Sequence, residues 1–220
     1  MMNLSRFFTV LVLSLVTSIS YSQTSAKLKL ELDSIYRIDQ LYREIMMSQP
    51  KKDSLAKAEN LSAQGVQQLI FDKMNEIDSS NSKRVRQIIH QVGYPGKSLV
   101  GEPTNEAAWY VIQHSKNINQ FFPLIEEAGQ KKELPFKLVA MMQDRLFVNQ
   151  GKEQLYGTQA RCDNPPAGSV GNQQPDCYIW PIRDAAGVNE RRKQAGFGDT
   201  VEENAKRLGI TYTRRSLSNK

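Results

Sequence analysis

The stretch LKLELDSIYRIDQLYREIMM, residues 28–47, decides the fold class. Its apolar side chains recur every three or four positions, which is the spacing of one face of an α-helix. Charged residues fill the opposite side, so the stretch predicts an amphipathic helix with one face against a core. Pro50 follows and is typical of a helix end. The apolar positions are Leu28, Leu32, Ile35, Tyr42 and Ile45.

Most of the remaining chain has the same spacing, which predicts an all-α fold. We expect one array of six to eight helices. No alternating strand pattern stands out, apart from a weak one in CYIWPI, residues 177–182. The further predicted helices cover residues 53–78, 80–92, 105–115, 117–130, 135–150, 188–196 and 199–209.

The first 22 residues have the features of a cleaved signal peptide. Arg6 is followed by the apolar run 7–16, and Ser20 and Ser22 fit a cleavage site before Gln23. We therefore expect export to the periplasm or beyond, with 23–220 forming a single helical domain. The run is too short to span a bilayer, and the mature chain has no stretch of about 18 apolar residues.

Two cysteines, Cys162 and Cys177, bound a segment rich in Pro, Gly and Asn. We predict a structural disulfide that staples an irregular loop insertion, residues 160–182. Closing a loop of this size stabilises a fold by roughly 3 kcal/mol in the chain-entropy model. The spacing fits neither a redox pair nor a zinc site, and the sequence predicts no metal and no cofactor.

The net charge of +6 comes from scattered basic doublets and the triplet 191–193. They do not form one stripe interleaved with aromatic residues. Together with the expected export, this argues against nucleic acid as a partner and indicates a solvated basic surface.

His114 shares a helix face with Ala107 and Val111, and Gln113 lies beside it with Trp109. A histidine on an apolar face is either a hydrogen-bonded core residue or a site residue. As a site residue, it suits general acid or base chemistry because imidazole titrates near neutral pH.

Arg145 lies in the apolar stripe of the predicted helix 135–150, where an arginine is costly unless paired. Asp144 points about 100° away around the helix, so we expect a partner from elsewhere. Asp39 and Asp78 are the candidates. The pair either fixes the helix register or prepares Arg145 to bind a carboxylate or phosphate group.

The segment GKEQLYGTQ, residues 151–159, follows that helix. Gln154, Tyr156 and Gln159 suit the lining of a polar cavity, and Thr158 lies between them. The alternative is a rigid loop that forms hydrogen bonds to helix ends.

Five elements together resemble a bacterial family catalogued only as a domain of unknown function, number 6624. The resemblance covers roughly residues 30–200 and implies that these positions form the family's core site, without implying an activity. The long cysteine loop resembles an insertion relative to the usual pattern. The elements are D-x-x-x-R (Asp39, Arg43), G-Y-P (Gly93 to Pro95), W-x-x-x-Q-H (Trp109 to His114), D-R (Asp144, Arg145) and G-x-x-Q-x-Y-G-T-Q (Gly151 to Gln159).

Three functions fit these residues. The first is an exported enzyme that processes a small polar or anionic substrate, with His114 as general acid or base and Asp39 orienting His114 or Arg145. Its predicted substrate-binding residues are Arg145, Gln113, Gln154, Tyr156 and Gln159. The second is a binding module that uses the same pocket without turnover, and the third is a structural domain whose polar network locks the helix packing.

Overall fold

A computed structural model describes residues 4–115, 117–163 and 175–217, with side chains described from residue 23 onward. The fold is mostly helical and divides into two compact units, Met1–Ser115 (unit 1) and Lys116–Lys220 (unit 2). The single helical domain predicted for 23–220 stays a prediction. The backbone is helical from Leu4, but the side chains of the predicted signal peptide lie outside the described part, and its cleavage stays a prediction.

Unit 1 is built on two long helices that pack against each other, α1 and α3. Its buried apolar side chains come from both of them and from α5, and include Leu32, Ile70, Val85 and Trp109. The helices of this unit are α1 (Leu4–Met47), α2 (Gln49–Glu59), α3 (Ala63–Val92), α4 (Lys97–Val100) and α5 (Ala107–Ile112), the last preceded by a 3₁₀ turn over Thr104–Glu106.

The break between α2 and α3 lies at residues 60–62, where the sequence had predicted one helix over 53–78. Asn60 ends α2 in the left-handed conformation with a φ of 52°, which asparagine tolerates better than most residues. Ser62 then begins α3 by accepting a hydrogen bond from the Gly65 N–H. The predicted boundary near residue 79 is wrong, because α3 runs through it without interruption.

Helix α5 and the turn before it run parallel to α1. The side chain of Thr104 bonds to Asp33, with 2.6 Å between Oγ1 and Oδ1. Further along, the rings of Tyr110 and Tyr36 have centroids 4.9 Å apart. The two segments run in the same direction, so successive turns of α1 lie beside successive turns of α5. We call the interface between them the seam.

Unit 2 begins with two helices, α6 (Ile118–Gln130) and α7 (Phe136–Asn149), which pack closely. Gly129 allows this approach, since a Cβ there would lie 2.4 Å from Cγ2 of Val139. Two short helices follow later, α8 (Val188–Gln194) and α9 (Val201–Arg207). Thr200 and Glu203 form a capping box at the start of α9. An apolar cluster packs α8 and α9 together with strand 176–179 and with residues that follow the strand and α9. Its members are Ile179, Ile182, Val188, Val201, Ala205 and Ile210.

In the segment 160–182, predicted as an irregular loop, a strand near the start pairs with a strand near the end. Strands β1 (Ala160–Asp163) and β2 (Asp176–Ile179) pair antiparallel, with Cys162 opposite Cys177. The predicted disulfide between these cysteines is confirmed. All four residues of β1 are exposed, so no alternation of apolar and polar residues marked the strand. Residues 164–174 of the predicted loop lie outside the described residues.

Within the described ranges, no helix combines the length and the apolar character needed to cross a membrane.

Candidate functional site

Asp39 and His114 meet in the seam between α1 and the end of α5. Asp39 is completely buried on α1, and His114 lies two residues after α5. The Nε2 atom of His114 is 3.9 Å from Oδ2 of Asp39. The histidine side chain keeps 24% of its surface exposed, although Nε2 itself is buried. One edge of the imidazole therefore faces a buried carboxylate while another part of the side chain reaches solvent.

The Asp39 carboxylate lies in a small network that also joins α1 to α3. The Gln40 amide donates a hydrogen bond of 2.7 Å to Oδ2, and Nη1 of Arg43 is 3.5 Å from Oδ1. Arg43 also donates two hydrogen bonds to Asp78 of α3, at 2.7 and 2.9 Å. Asp39 and Arg43 are one turn apart on α1, which places both side chains on the same face.

Burial raises the pKa of Asp39 to about 6 from its ordinary value of 3.8. The charge of Arg43 and the hydrogen bond from Gln40 oppose the rise, while the negative charge of Asp78 adds to it. The carboxyl therefore titrates in the range where imidazole ordinarily titrates. A carboxyl with a raised pKa beside an imidazole is a common feature of functional sites.

In unit 2, the segment 154–159 is a clamped loop centred on Asp144, a fully buried carboxylate on α7. Asp144 accepts hydrogen bonds from the backbone N–H groups of Leu155, Tyr156 and Thr158, and from the Thr158 hydroxyl at 2.9 Å. Burial raises the pKa of Asp144, and these hydrogen bonds act against the rise. The carboxylate thus replaces water for donors that a buried loop would otherwise leave unsatisfied.

The carbonyl groups of the clamped loop are held from the other side. Nε of Arg191 donates to Leu155 O at 3.1 Å, and Nη1 of Arg192 donates to Tyr156 O at 2.9 Å. The amide of Asn204 donates to the carbonyl of Gly157 at 3.0 Å. The interpretation of 191–193 as solvated surface charge is wrong for Arg192, which is 1% exposed.

Gln154 is completely buried, and the hydrogen bonds of its side chain to the described residues lie within unit 2. Its amide nitrogen donates to the carbonyls of Gln159 and Trp180, at 2.9 and 2.7 Å, and its amide oxygen accepts from the Gln159 N–H. Gln159 is half-buried and donates to the Thr158 hydroxyl at 3.0 Å. Of the two sequence interpretations, these contacts favour the rigid loop for Gln154.

Tyr156 and Arg145 both lie half-buried in unit 2. The Tyr156 ring centroid is 6.2 Å from that of Phe197, and burial, followed by the charge of Asp144, raises the pKa of its phenol. Burial lowers the pKa of Arg145. Gln113 is half-buried at the end of α5 in unit 1. The substrate-binding roles predicted for these residues, and the pairing of Arg145 with Asp39 or Asp78, stay predictions.

The sequence placed Arg191 and Arg192 on a solvated surface and gave Asn204 no role, so none of the three was predicted to hold the clamped loop. Their contacts join positions 36 to 47 residues apart in the chain, and no periodic pattern records such pairs. The sequence placed Asp144 in the D-R motif and set it aside as a partner of Arg145, without linking it to the segment 154–159. The available signal was the short distance in sequence between Asp144 and the glycine-containing segment. A carboxylate between one and two turns before the end of α7 can reach the N–H groups of the segment that follows the helix.

Within the described residues, no group of three or more His, Cys, Asp and Glu side chains is arranged to hold a metal ion.

A family model matches residues 49–215, more than two thirds of the chain, and covers both His114 and the clamped loop. The chain belongs to the family of unknown function DUF6624. The predicted resemblance is thereby confirmed. The matched range begins after α1, so Asp39 and Arg43 lie outside it. No curated protein and no solved structure shows a significant match to the chain.

Proposed function

We propose that this DUF6624 protein is an exported enzyme that transfers a proton to or from a small polar substrate. His114 is the general acid or base, and Asp39 is the carboxylate that orients the imidazole and balances its charge. The observation that carries the proposal is the 3.9 Å approach of Nε2 of a partly exposed histidine to a completely buried carboxylate.

The separation of 3.9 Å is longer than a hydrogen bond, and this is compatible with catalysis. Catalytic hydrogen bonds are often long without substrate and shorten when a substrate closes the site. Asp39 lies on α1 and His114 lies two residues after α5 of the same unit, so a small rotation of the imidazole would bring the two groups into contact.

Burying a carboxylate with a raised pKa is costly, and the fold keeps it. For a purely structural role, an apolar or amide side chain would cost less free energy, because a buried charge loses its hydration. Tolerating such a group is typical of sites selected for activity rather than stability. The alternative is that the Asp39–Arg43–Asp78 network only locks α1 to α3, which the two hydrogen bonds from Arg43 to Asp78 favour.

Export is supported by the features of residues 1–22 and by the Cys162–Cys177 disulfide, which is typical of oxidising compartments. The reaction class that we propose to test first is hydrolysis, because one acid–base group can activate a water molecule for several leaving groups.

The test measures turnover of chromogenic esters, amides, phosphates and glycosides by the purified, disulfide-bonded protein. For any substrate that is turned over, His114→Gln should lower kcat by about 100-fold or more. Asp39→Asn should lower it less, because it leaves the imidazole in place.

His90→Gln is the matched control, since His90 is the chain's other histidine and lies exposed on α3. It should keep full turnover, and all three variants should keep the helical circular-dichroism spectrum. Unchanged turnover in a folded His114→Gln protein would contradict the proposal.

A further inference from the structure

A cleft of about 90 Å³ opens on unit 1 between α1 and the chain leading into α5. From α1 it is lined by Asp33 and Tyr36, and from the other side by Thr104, Glu106 and Tyr110. Ligand pockets for whole drug-sized molecules are typically 300–1,000 Å³. A cleft of this size therefore suits a single head group of a ligand.

The two tyrosine rings form a corner of the cleft. Their centroids are 4.9 Å apart and their planes meet at 61°. Trp109 is buried behind Tyr110, with ring centroids 5.1 Å apart and planes at 89°, and this contact fixes the ring in place. Burial, with Tyr36 and Glu106, raises the pKa of Tyr110, so the phenol stays neutral at physiological pH. The faces of neutral phenol rings attract cations.

Two carboxylates, Asp33 and Glu106, contribute to the same lining, while most of the wall is apolar. A hard metal ion requires several oxygen ligands around it. Aromatic faces with a nearby carboxylate instead suit an organic cation, whose charge is spread over carbon-bound hydrogens.

The side chain of Lys29 shows that this cluster accommodates an ammonium group. Its Nζ donates to the Thr104 hydroxyl at 2.6 Å and lies 3.6 Å from Oδ2 of Asp33. Lys29 does not line the cleft.

We propose that this cleft binds the alkylammonium group of the substrate on which His114 acts. That the ligand is also the substrate of His114 rests on the proposed function. The binding itself rests on the cleft alone.

The cleft and the histidine lie along one seam. Tyr110 precedes His114 by four residues, and Tyr36 precedes Asp39 by three, so both members of the Asp39–His114 pair follow the tyrosine corner by about one turn. One helical turn rises about 5.4 Å. A ligand with its cation in the corner would thus place a group two to four bonds away within reach of the imidazole.

The experiment is calorimetric titration of the full disulfide-bonded protein with choline and with its neutral isostere, 3,3-dimethyl-1-butanol. Choline should bind and the isostere should not, because only the charge differs. Tyr36→Leu should weaken choline binding by about fivefold or more, through the loss of one ring face. Tyr36→Phe keeps the ring and should bind as the wild type does.

Glu106→Gln should also weaken choline binding. Glu102→Gln is its matched control, since Glu102 is a nearby carboxylate that lies outside the cleft lining and 3.2 Å from Lys97. Equal binding of the two probes, or full choline binding by a folded Tyr36→Leu protein, would overturn the inference.

His114→Gln separates the two proposals. It should bind choline as tightly as the wild type while losing turnover. If His114→Gln retains turnover and binds choline, the catalytic role of His114 is wrong and the cleft proposal stands. If the wild type does not bind choline and His114→Gln loses turnover, the cleft proposal is wrong and the catalytic role stands.

Discussion

At the scale of single residues, Asp39 is the clearest conflict between stability and local chemistry. It is completely buried, and its strongest interaction with a cation is a 3.5 Å approach to Arg43, which binds Asp78 more closely. Since burial is the largest influence on its pKa, the fold favours the protonated carboxyl over the carboxylate.

The pH dependence follows from the sign of this shift. Between the unfolded pKa near 3.8 and the folded pKa of about 6, the folded state binds more protons than the unfolded chain. The contribution of Asp39 to the free energy of unfolding therefore falls as pH rises from about 4 to 6, and is constant above that range. The full fall is about 3 kcal/mol.

We predict that Asp39→Asn is more stable than the wild type at pH 7, and that this gain disappears as pH falls to about 4. The measurement is urea unfolding of unit 1, followed by the fluorescence of Trp109 in a Trp180→Phe background, because each unit has one tryptophan. Asp72→Asn is the control, since Asp72 also accepts a glutamine hydrogen bond but is exposed. A variant that is less stable than the wild type at pH 7 would favour the purely structural network.

At the scale of elements, the clamped loop 154–159 behaves as a structural part of unit 2. Asp144 holds its N–H groups, and Arg191, Arg192 and Asn204 hold its carbonyls. Gly157 lets the loop approach the apolar cluster of unit 2, with a φ of +67°. A Cβ there would lie 2.6 Å from Cγ2 of Val201 and 2.8 Å from Cδ1 of Ile182.

Gly157→Ala should lower the free energy of unfolding of unit 2 by about 2–4 kcal/mol, from left-handed strain and overpacking together. Gly151→Ala is a matched control, because Gly151 also has a positive φ, +69°, but its Cβ would meet nothing within 4 Å. It should cost only the strain, about 1–2 kcal/mol. Urea unfolding followed by Trp180 in a Trp109→Phe background gives both values. Equal losses in the two variants would contradict the packing of Gly157.

At the scale of the whole molecule, the sequence predicted the helical class because apolar spacing records which helix faces are buried. It also predicted the disulfide, since two cysteines bound a segment rich in turn residues. The hairpin was missed because the exposed strand β1 has no alternation, and the break after α2 was missed because it depends on one left-handed residue, Asn60.

The candidate site was only partly readable for the same reason. His114 could be singled out by its position on an apolar face, and Asp39 as a candidate partner of Arg145. Their approach depends on the parallel packing of α1 and α5, which no local pattern encodes. The polar residues of 154–159 were read equally well as a pocket or a loop, because the donors and acceptors that hold them come from α7, α8 and α9.

The central claim is that the Asp39 carboxylate orients the His114 imidazole and balances its charge, and the most direct test is NMR titration of the two histidine rings in the full protein. The His90→Gln spectrum assigns the His114 signals. We predict that the His114 ring shifts respond to a second ionisation near pH 6, from Asp39, and that Asp39→Asn removes this step and moves the imidazole midpoint to lower pH, because a neighbouring negative charge is lost. Identical single-step titration of His114 in the wild type and in Asp39→Asn would contradict the account.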